Sequence, residues 1–235
     1  RVMTTREMHY DFKKKFNKID SQKNKNLLVP EIDWLLNEAA ELFVKKVAQP
    51  KVDNGLGFEM SQRIVEDIKS LVVGGTWTPV INNVIALPFN YLYFVRCRVK
   101  LSKGNCKNQE AVLFVREHND LFEESQFYNS SFEWREVNGV YESQGIQSFT
   151  DGTFTIDEAK LSYIRKMAYM HNAQDFGTGS YAHPSGVTLT GTVNCDLPDH
   201  THREIVDIAV MLAASEVQTS DLQVKIGKLG FNQIV

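Results

Sequence analysis

The sequence predicts an α+β protein in which helices from both ends of the chain form a bundle, with a central antiparallel β-rich insertion between them. Residues 1–76 and 197–235 carry apolar side chains at helical spacing, and residues 77–170 are rich in aromatic and β-branched side chains. Residues 171–196 are polar and glycine-rich. We therefore expect a helical core from the two terminal segments, a β-rich domain between them, and an extended loop or arm at 171–196.

The first helix is predicted near the start of the chain. Thr4 and Glu7 have the S/T-x-x-E spacing of a capping box. The apolar residues on one face of this helix are Met8, Phe12, Phe16 and Ile19. The lysines at 13–15 and 18 have two interpretations, a nucleic-acid contact or a solvated face that complements the helix dipole, and the second is favoured.

Two further helices are predicted before the β-rich part. Pro30 suits the first position of the second helix, Glu31 and Asp33 place carboxylates in its first turn, and Pro50 ends it. Its apolar stripe is Ile32, Leu35, Leu36, Ala39, Phe43 and Val47. The third helix follows a turn at 54–57 and carries Ile64, Ile68, Leu71 and Val72, with Gly74–Gly75 expected as its C-cap.

Residues 197–214 predict a buried helix late in the chain. The apolar stripe is Ile205, Ile208, Ala209, Leu212 and Ala213, widened by Val206 and Val210. Thr201 and Glu204 have capping-box spacing, although Asp199 is an alternative N-cap. This helix is expected to contact more than one neighbour.

The middle of the chain predicts strands, because β-branched and aromatic residues dominate it. The predicted strands cover residues 84–87, 91–101, 111–115, 132–137, 146–150, 154–156 and 161–168. Residues 102–108 and Asp151-Gly152 are expected to be turns. Two weaker helical segments are predicted at 118–127 and 221–229.

The polar segment at 172–196 is long for a loop inside a compact domain, so we expect it to be functional, mobile or ordered by a partner. Residues 181–190 predict a hairpin that turns at Pro184-Ser185-Gly186. Tyr181 and His183 lie in this hairpin and are candidate interface residues.

Length and composition limit the classes of protein to which the chain can belong. The chain has 235 residues, 43% of them hydrophobic and 23% charged, which is enough to bury a core without disulfides or metals. A net charge of −3 argues against a surface devoted to phosphate. Three cysteines without C-x-x-C spacing indicate reduced thiols. No N-terminal leader and no bilayer-spanning apolar run is present, so no membrane partner is expected.

The sequence assigns no catalytic residue, cofactor site or metal site. His200 and His202 lie near Cys195, Asp196 and Asp199 and form the best metal candidate, but the two rings diverge at a helix start. Hydrogen bonding at the helix entry is the favoured interpretation. The P-loop, H-E-x-x-H, G-x-S-x-G and G-x-G-x-x-G signatures do not occur, and no carboxylate pair is marked by its spacing.

One strand carries a basic ridge. Arg96, Arg98 and Lys100 alternate with Val95, Cys97, Val99 and Leu101, so the cations are expected on one face and the apolar residues on the other. The ridge suits DNA phosphate or an acidic partner, but the solvent side of a half-buried strand is favoured. Trp134 stands among charged residues and fits either an interface anchor or a core position.

Four segments together resemble one family. They are EIDWLLNEAAELFVKK at 31–46, SSFEWREV at 130–137, FTDGTFTIDEAKLSYIRK at 149–166 and LPDHTHREIVDIAVMLAA at 197–214. In this order, over nearly the whole chain, they resemble virion structural proteins of crAss-like bacteriophages, the short-tailed phages of gut Bacteroidales. The likeness is to the proteins that form stacked rings between the portal and the tail.

The resemblance implies a non-enzymatic subunit of the head-to-tail connector, or neck, in the virion. Such a subunit is made in the bacterial cytoplasm, joins capsid to tail, and lines the channel for genome ejection. The implied partners are copies of itself in a twelvefold ring, the portal protein and other ring or tail hub proteins. Genomic DNA would pass without sequence-specific contact. The terminal regions and the segment at 172–196 are candidates for reaching a neighbouring copy.

Three alternatives remain open at the level of the sequence. A tail hub or tail-tube subunit would be built from the same parts and differ by its position in the particle. A tail-associated glycan hydrolase would show a cleft with paired carboxylates or a metal. A free DNA-binding protein fits the charge poorly, and strongly salt-dependent DNA binding would support it.

Overall fold

The structure is a computed structural model that describes residues 3–17, 27–48, 66–116 and 129–216. The chain divides into two compact units. The helical unit comprises the chain up to Leu71 and again from Met167, and the sheet unit comprises Val72–Lys166. The protein is thus a mixed α/β protein with a seven-stranded sheet.

Three α-helices of the helical unit lie wholly within the described residues: α1 (Thr5–Asn17), α2 (Val29–Ala48) and α3 (His202–Glu216). Helix α3 packs against both α1 and α2. The stripes predicted for these helices are buried at Met8, Phe12, Phe16, Ile32, Leu35, Leu36, Ala39, Phe43, Ile205, Ile208, Ala209 and Ala213. A complete bundle of terminal helices stays a prediction, because the segments at 49–65 and 217–235 lie outside the described residues.

The two predicted capping boxes differ in outcome. At the start of α1, the Thr4 amide donates to Glu7 Oε2 (2.9 Å) and the Glu7 amide to Thr4 Oγ1 (3.3 Å), which confirms the box. Before α3, a 3₁₀ turn spans Asp199–Thr201, and the Thr201 hydroxyl donates to the Pro198 carbonyl oxygen. The box predicted from Thr201 and Glu204 is wrong, because the extra turn moves the helix start to His202.

The sheet unit contains strands β1 (Val72–Pro79), β2 (Val84–Ala86), β3 (Tyr91–Lys103), β4 (Cys106–Arg116), β5 (Glu136–Glu142), β6 (Gly145–Ser148) and β7 (Thr155–Arg165). Their order is β1-β7-β3-β4-β5-β6-β2. Neighbours are antiparallel except β4 and β5, which are parallel. The expected antiparallel insertion therefore contains one parallel pair.

The sheet curls, as its connections require. Strands β1 and β2 stand at opposite edges, yet residues 80–83 are all that links them. A flat sheet of this size would separate its edges by about 29 Å, whereas such a link reaches at most about 17 Å. The inner face of the curl is filled by residues from β2 to β7, including Ile85, Cys97, Val99, Leu101, Leu113, Val137, Ile146, Ile156 and Leu161.

The region around Gly74 and Gly75 corrects the sequence prediction. The third helix ends with a 3₁₀ turn, Lys69–Leu71, and the two glycines lie inside β1, so the predicted C-cap is wrong. The pairing of β1 with β7 shifts register between Gly74 and Trp77. Two consecutive glycines are suited both to a β-bulge and to a helix end. Here the close approach of strand β7 makes them part of a bulge in β1.

Three of the predicted strands have different bounds in the structure. The strand expected at 132–137 begins at Glu136, because Phe132–Arg135 forms a turn in which Arg135 has a φ of 55°. The strands expected at 154–156 and 161–168 are one continuous strand, β7. The hairpin between β3 and β4 turns at Gly104 as predicted. The segments predicted at 54–57, 118–127 and 221–229 lie outside the described residues.

The segment expected as a loop or arm is folded back on the helical unit. It contains β8 (His171–Asn172), β9 (Ser180–Ala182), β10 (Thr188–Thr190) and β11 (Thr192–Val193), together with the 3₁₀ turn Ala173–Asp175. Strands β9 and β10 pair, and the Gly186 amide donates to the His183 carbonyl oxygen, which confirms the predicted hairpin. Strand β8 contacts α1 and α2.

No helix among the described residues is long and apolar enough to cross a membrane. The longest, α2, is amphipathic and carries four carboxylates and two lysines along its length.

Candidate interaction surface

The outer face of β3, β4 and β5 carries an open apolar groove. Arg98 on β3 lies opposite Val112 on β4, which lies opposite Glu136 on β5. The groove has a volume of about 340 Å³ and is lined by Arg98, Glu110, Ala111, Val112, Phe114, Trp134, Arg135 and Glu136. Val112 and Phe114 are 46% and 42% exposed, an unusual position for two large apolar side chains on neighbouring sites of a sheet.

The turn before β5 presents Trp134 at this groove. Ser131 exchanges backbone hydrogen bonds with Glu136 (2.9 and 3.2 Å), and its hydroxyl accepts from the Trp134 amide (3.3 Å). The Trp134 side chain is 82% exposed, so of the two positions that the sequence left open, it occupies the surface one. A fixed backbone with an exposed indole is the arrangement of an interface anchor.

The basic ridge on β3 is partly neutralised by carboxylates. Arg98 Nη1 lies 3.5 Å from Glu110 Oε2, and Lys100 pairs with Glu158 while its Nζ lies 4.5 Å from the centroid of the Trp77 ring. Both partners of the Arg98 pair are about half exposed, so the pair is weak and can exchange for another partner. The ridge is therefore a mixed-charge rim rather than a continuous cationic strip.

The predicted alternation of buried apolar and exposed cationic side chains along β3 fails at a β-bulge. Cys97, Val99 and Leu101 are buried as expected, but Val95 is exposed together with Arg96. The pairing of β3 with β7 shifts register between Phe94 and Arg96. An extra residue at this point turns the preceding side chains to the other face.

Tyr181, expected at an interface, is buried inside the helical unit. Its hydroxyl donates to Asp33 Oδ2 at 2.7 Å. Burial, and then the hydrogen bond to Asp33, raise the pKa of Tyr181 far above its usual value. The residue therefore holds the hairpin onto α2.

His183 packs at the edge of the same unit. Its ring stacks on Trp34 with centroids 6.0 Å apart and meets the Tyr169 ring edge-on at 4.6 Å. Nδ1 accepts from the Ser185 amide (3.1 Å), which fixes the ring in the β-turn. His183 is thus half-buried against α2.

Asp33 is the polar centre of the helical unit and was not predicted as such. Besides Tyr181, it contacts His9 Nε2 at 2.7 Å and accepts from the Asn172 amide at 3.1 and 3.2 Å. Asp33 is fully buried. These contacts join α1, α2 and the segment at 171–196, and every one of its partners needs the carboxylate.

The histidines near the start of α3 are used for structure. His202 is buried, with Nδ1 at 3.0 Å from the Met3 carbonyl oxygen and Nε2 at 2.9 Å from that of Leu197. His200 Nε2 lies 2.7 Å from Asp67 Oδ1. No group of His, Cys, Asp and Glu side chains able to hold a metal occurs among the described residues.

Two of the three thiols, those of Cys97 and Cys195, lack the setting of a nucleophile. Burial raises the pKa of Cys97 to about 12 and that of Cys195 to about 11. Thiolates are the reactive form, so both side chains remain protonated and unreactive at neutral pH. Cys106 is exposed on β4.

Comparison with known proteins returned no match, either to a protein-family model or to a curated protein. The surfaces described above, and the resemblance of the four segments, are therefore the basis for a functional conclusion. Of these surfaces, the groove beside Trp134 has the composition that binding interfaces favour, with aromatic side chains at an apolar centre and arginines at its rim.

Proposed function

We propose that the chain is a structural subunit of a phage head-to-tail connector, forming a ring below the portal that joins capsid to tail. The four segments that resemble crAss-like phage ring proteins support this function. The single observation that carries it is the groove beside Trp134, a site built for a protein partner on a rigid sheet. No catalytic step belongs to this function.

The groove supplies the contact with an axial neighbour, namely the portal or the next ring of the stack. Its centre is apolar, with Val112, Phe114 and Trp134, and its rim carries Arg98, Arg135, Glu110 and Glu136. Truncating a central aromatic at such a site costs about 2 kcal/mol or more of binding free energy, whereas rim charges mainly select the partner.

The charge balance suits a channel that releases DNA. The chain carries a net charge of −3, so a ring of identical copies is acidic overall. Binding to a duplex depends on releasing counterions from phosphates that meet unpaired cations. An acidic ring lets DNA pass without gripping it.

The assembly state of the purified protein tests the proposal. We expect native mass measurement and negative-stain images to show a closed ring of about twelve copies. The same ring should occupy the neck in images of whole particles. A chain that stays monomeric in solution and in the particle, and that hydrolyses a glycan, would contradict the proposal.

Trp134→Ala is expected to uncouple heads from tails without unfolding the chain. The side chain is 82% exposed, so the free energy of unfolding should change by no more than about 0.5 kcal/mol. The affinity for the axial neighbour should fall at least about tenfold, because the anchor of the groove is gone. The measurement is the fraction of particles with attached tails when the variant is the only copy present.

Phe89→Ala is the control for that experiment. Phe89 is fully exposed in the sheet unit but does not line the groove. Its replacement removes an exposed aromatic while leaving the groove intact. Normal tail attachment with Trp134→Ala, or an equal defect with both variants, would count against the groove as the contact.

A further inference from the structure

Helix α1 has an exposed basic face. Arg6, Tyr10, Lys13 and Lys14 recur at helical spacing and are all exposed, with Tyr10 at 79%. Within the described residues, the ion pairs of α1 use Arg6, His9 and Lys15, and Lys13 and Lys14 take no part in them. These four residues are named the basic face.

Helix α2 has an exposed acidic face. Glu31, Trp34, Glu38, Glu41 and Leu42 are exposed along its first four turns, and Trp34 remains 51% exposed although its ring also stacks on His183. No cation occurs among them, but Lys45 in the last turn of α2 reaches back to Glu41, with its Nζ 3.9 Å from Glu41 Oε2. These five residues are named the acidic face.

Both faces combine charge of one sign with an exposed aromatic ring. The opposite sides of α1 and α2 are already buried, at Met8 and Phe12 and at Ile32 and Leu36. A solvated helix face needs no aromatic residue, whereas an interface uses one as its anchor. The residues that remain outside therefore indicate a second packing partner for each helix.

We infer that the basic face of one copy packs against the acidic face of a second copy of this chain. The two faces are different surfaces of one molecule, so their contact is head-to-tail and can close into a ring. Opposite charges on the two faces select this register and repel contacts between like faces. The inference rests on the proposed function, for which it supplies the contact between neighbouring subunits.

A duplex is the less suitable occupant of the basic face. The face is short and has three cations, one of them already paired with Asp175 at 3.0 Å. Non-specific DNA binding gains affinity from many phosphate contacts. The acidic face offers three carboxylates and an aromatic ring, and the one carboxylate that is paired, Glu41, is held only loosely by Lys45 at 3.9 Å.

Charge reversal tests the contact. One variant carries Lys13→Glu and Lys14→Glu, and the other carries Glu38→Lys and Glu41→Lys. Each is expected to self-associate at least tenfold more weakly than the unmodified chain, measured by sedimentation velocity at low salt. An equimolar mixture should recover the ring, because each intact face, and each reversed face, then meets an opposite charge.

A matched control reverses charges elsewhere on the helical unit. Lys69→Glu with Glu66→Lys changes two exposed residues outside both faces, and we expect normal association. Circular dichroism of every variant checks the fold. Since all substituted side chains are exposed, unchanged helical signal is expected.

The outcomes separate this contact from the proposed function. Rings that form regardless of either charge reversal overturn the contact and leave the connector function in place. Weakened variants that do not recover on mixing also overturn it. A DNA shift that Lys13→Glu with Lys14→Glu abolishes, with self-association unchanged, assigns the basic face to nucleic acid and overturns the contact. An unmodified chain that stays monomeric both in solution and in the particle overturns both proposals.

Discussion

Replacing Asp33 by alanine is expected to lower the free energy of unfolding of the helical unit by about 3–5 kcal/mol. His9 Nε2, the Asn172 amide and the Tyr181 hydroxyl all lose their acceptor, and all are buried. A buried donor left without an acceptor forfeits its hydration without compensation. The loss approaches the whole stability of a typical domain, so partial melting at ambient temperature is the expected result.

Urea unfolding followed at 222 nm measures this effect, because that signal reports the helices. Tyr181→Phe is the milder companion, since it removes one donor and leaves the other contacts of Asp33 in place. It should cost about 1 kcal/mol. Asp207→Ala, which removes a half-exposed partner of Lys15, serves as the control and should cost less than about 1 kcal/mol. Equal stability of Asp33→Ala and Asp207→Ala would refute the role of the network.

Gly75→Ala is expected to disrupt the edge of the sheet, whereas Gly74→Ala is expected to be tolerated. A Cβ at Gly75 would lie 2.0 Å from the Leu161 carbonyl oxygen, while a Cβ at Gly74 meets nothing within 4 Å. The clash is with backbone, so β1 must move away from β7 and lose ladder hydrogen bonds. The expected loss is about 3 kcal/mol or more.

Amide hydrogen exchange gives the readout for this pair of variants. In Gly75→Ala, the amides of β1 and the facing part of β7 should exchange faster by at least about a hundredfold, as about 3 kcal/mol of local stability requires. In Gly74→Ala they should keep their protection. If both variants exchange like the unmodified chain, the close approach of β1 to β7 is wrong.

The helices could be predicted because their signals are local. The capping box of Thr4 and Glu7 and the stripe of α1 lie within a few turns, and the structure confirms both. The hairpin of β9 and β10 was likewise readable from Pro184-Ser185-Gly186. In each case the deciding contacts join residues close together in the chain.

The features that could not be predicted depend on contacts between residues that are far apart in the chain. Asp33 looked like a carboxylate of a first helical turn, because the sequence does not show that Asn172 and Tyr181 meet it across the fold. By sequence alone Gly74 and Gly75 fit a helix end. Only the folded chain brings Leu161 close to Gly75 and shows that the two glycines lie in a strand. At the groove, Trp134 could be recognised from the sequence as a candidate interface residue. The exposure of Val112 and Phe114 could not, because it depends on how β4 pairs with β3 and β5.

The curled sheet has little backbone left for pairing with other chains. Strand β1 is interrupted by its register shift and ends at Pro79, and β2 has three residues. Strand edges of this kind are poor templates for adding a foreign strand. Contacts that this sheet makes with other molecules must then run through side chains, so their strength depends on salt and on single substitutions, and the sheet is a poor seed for fibres.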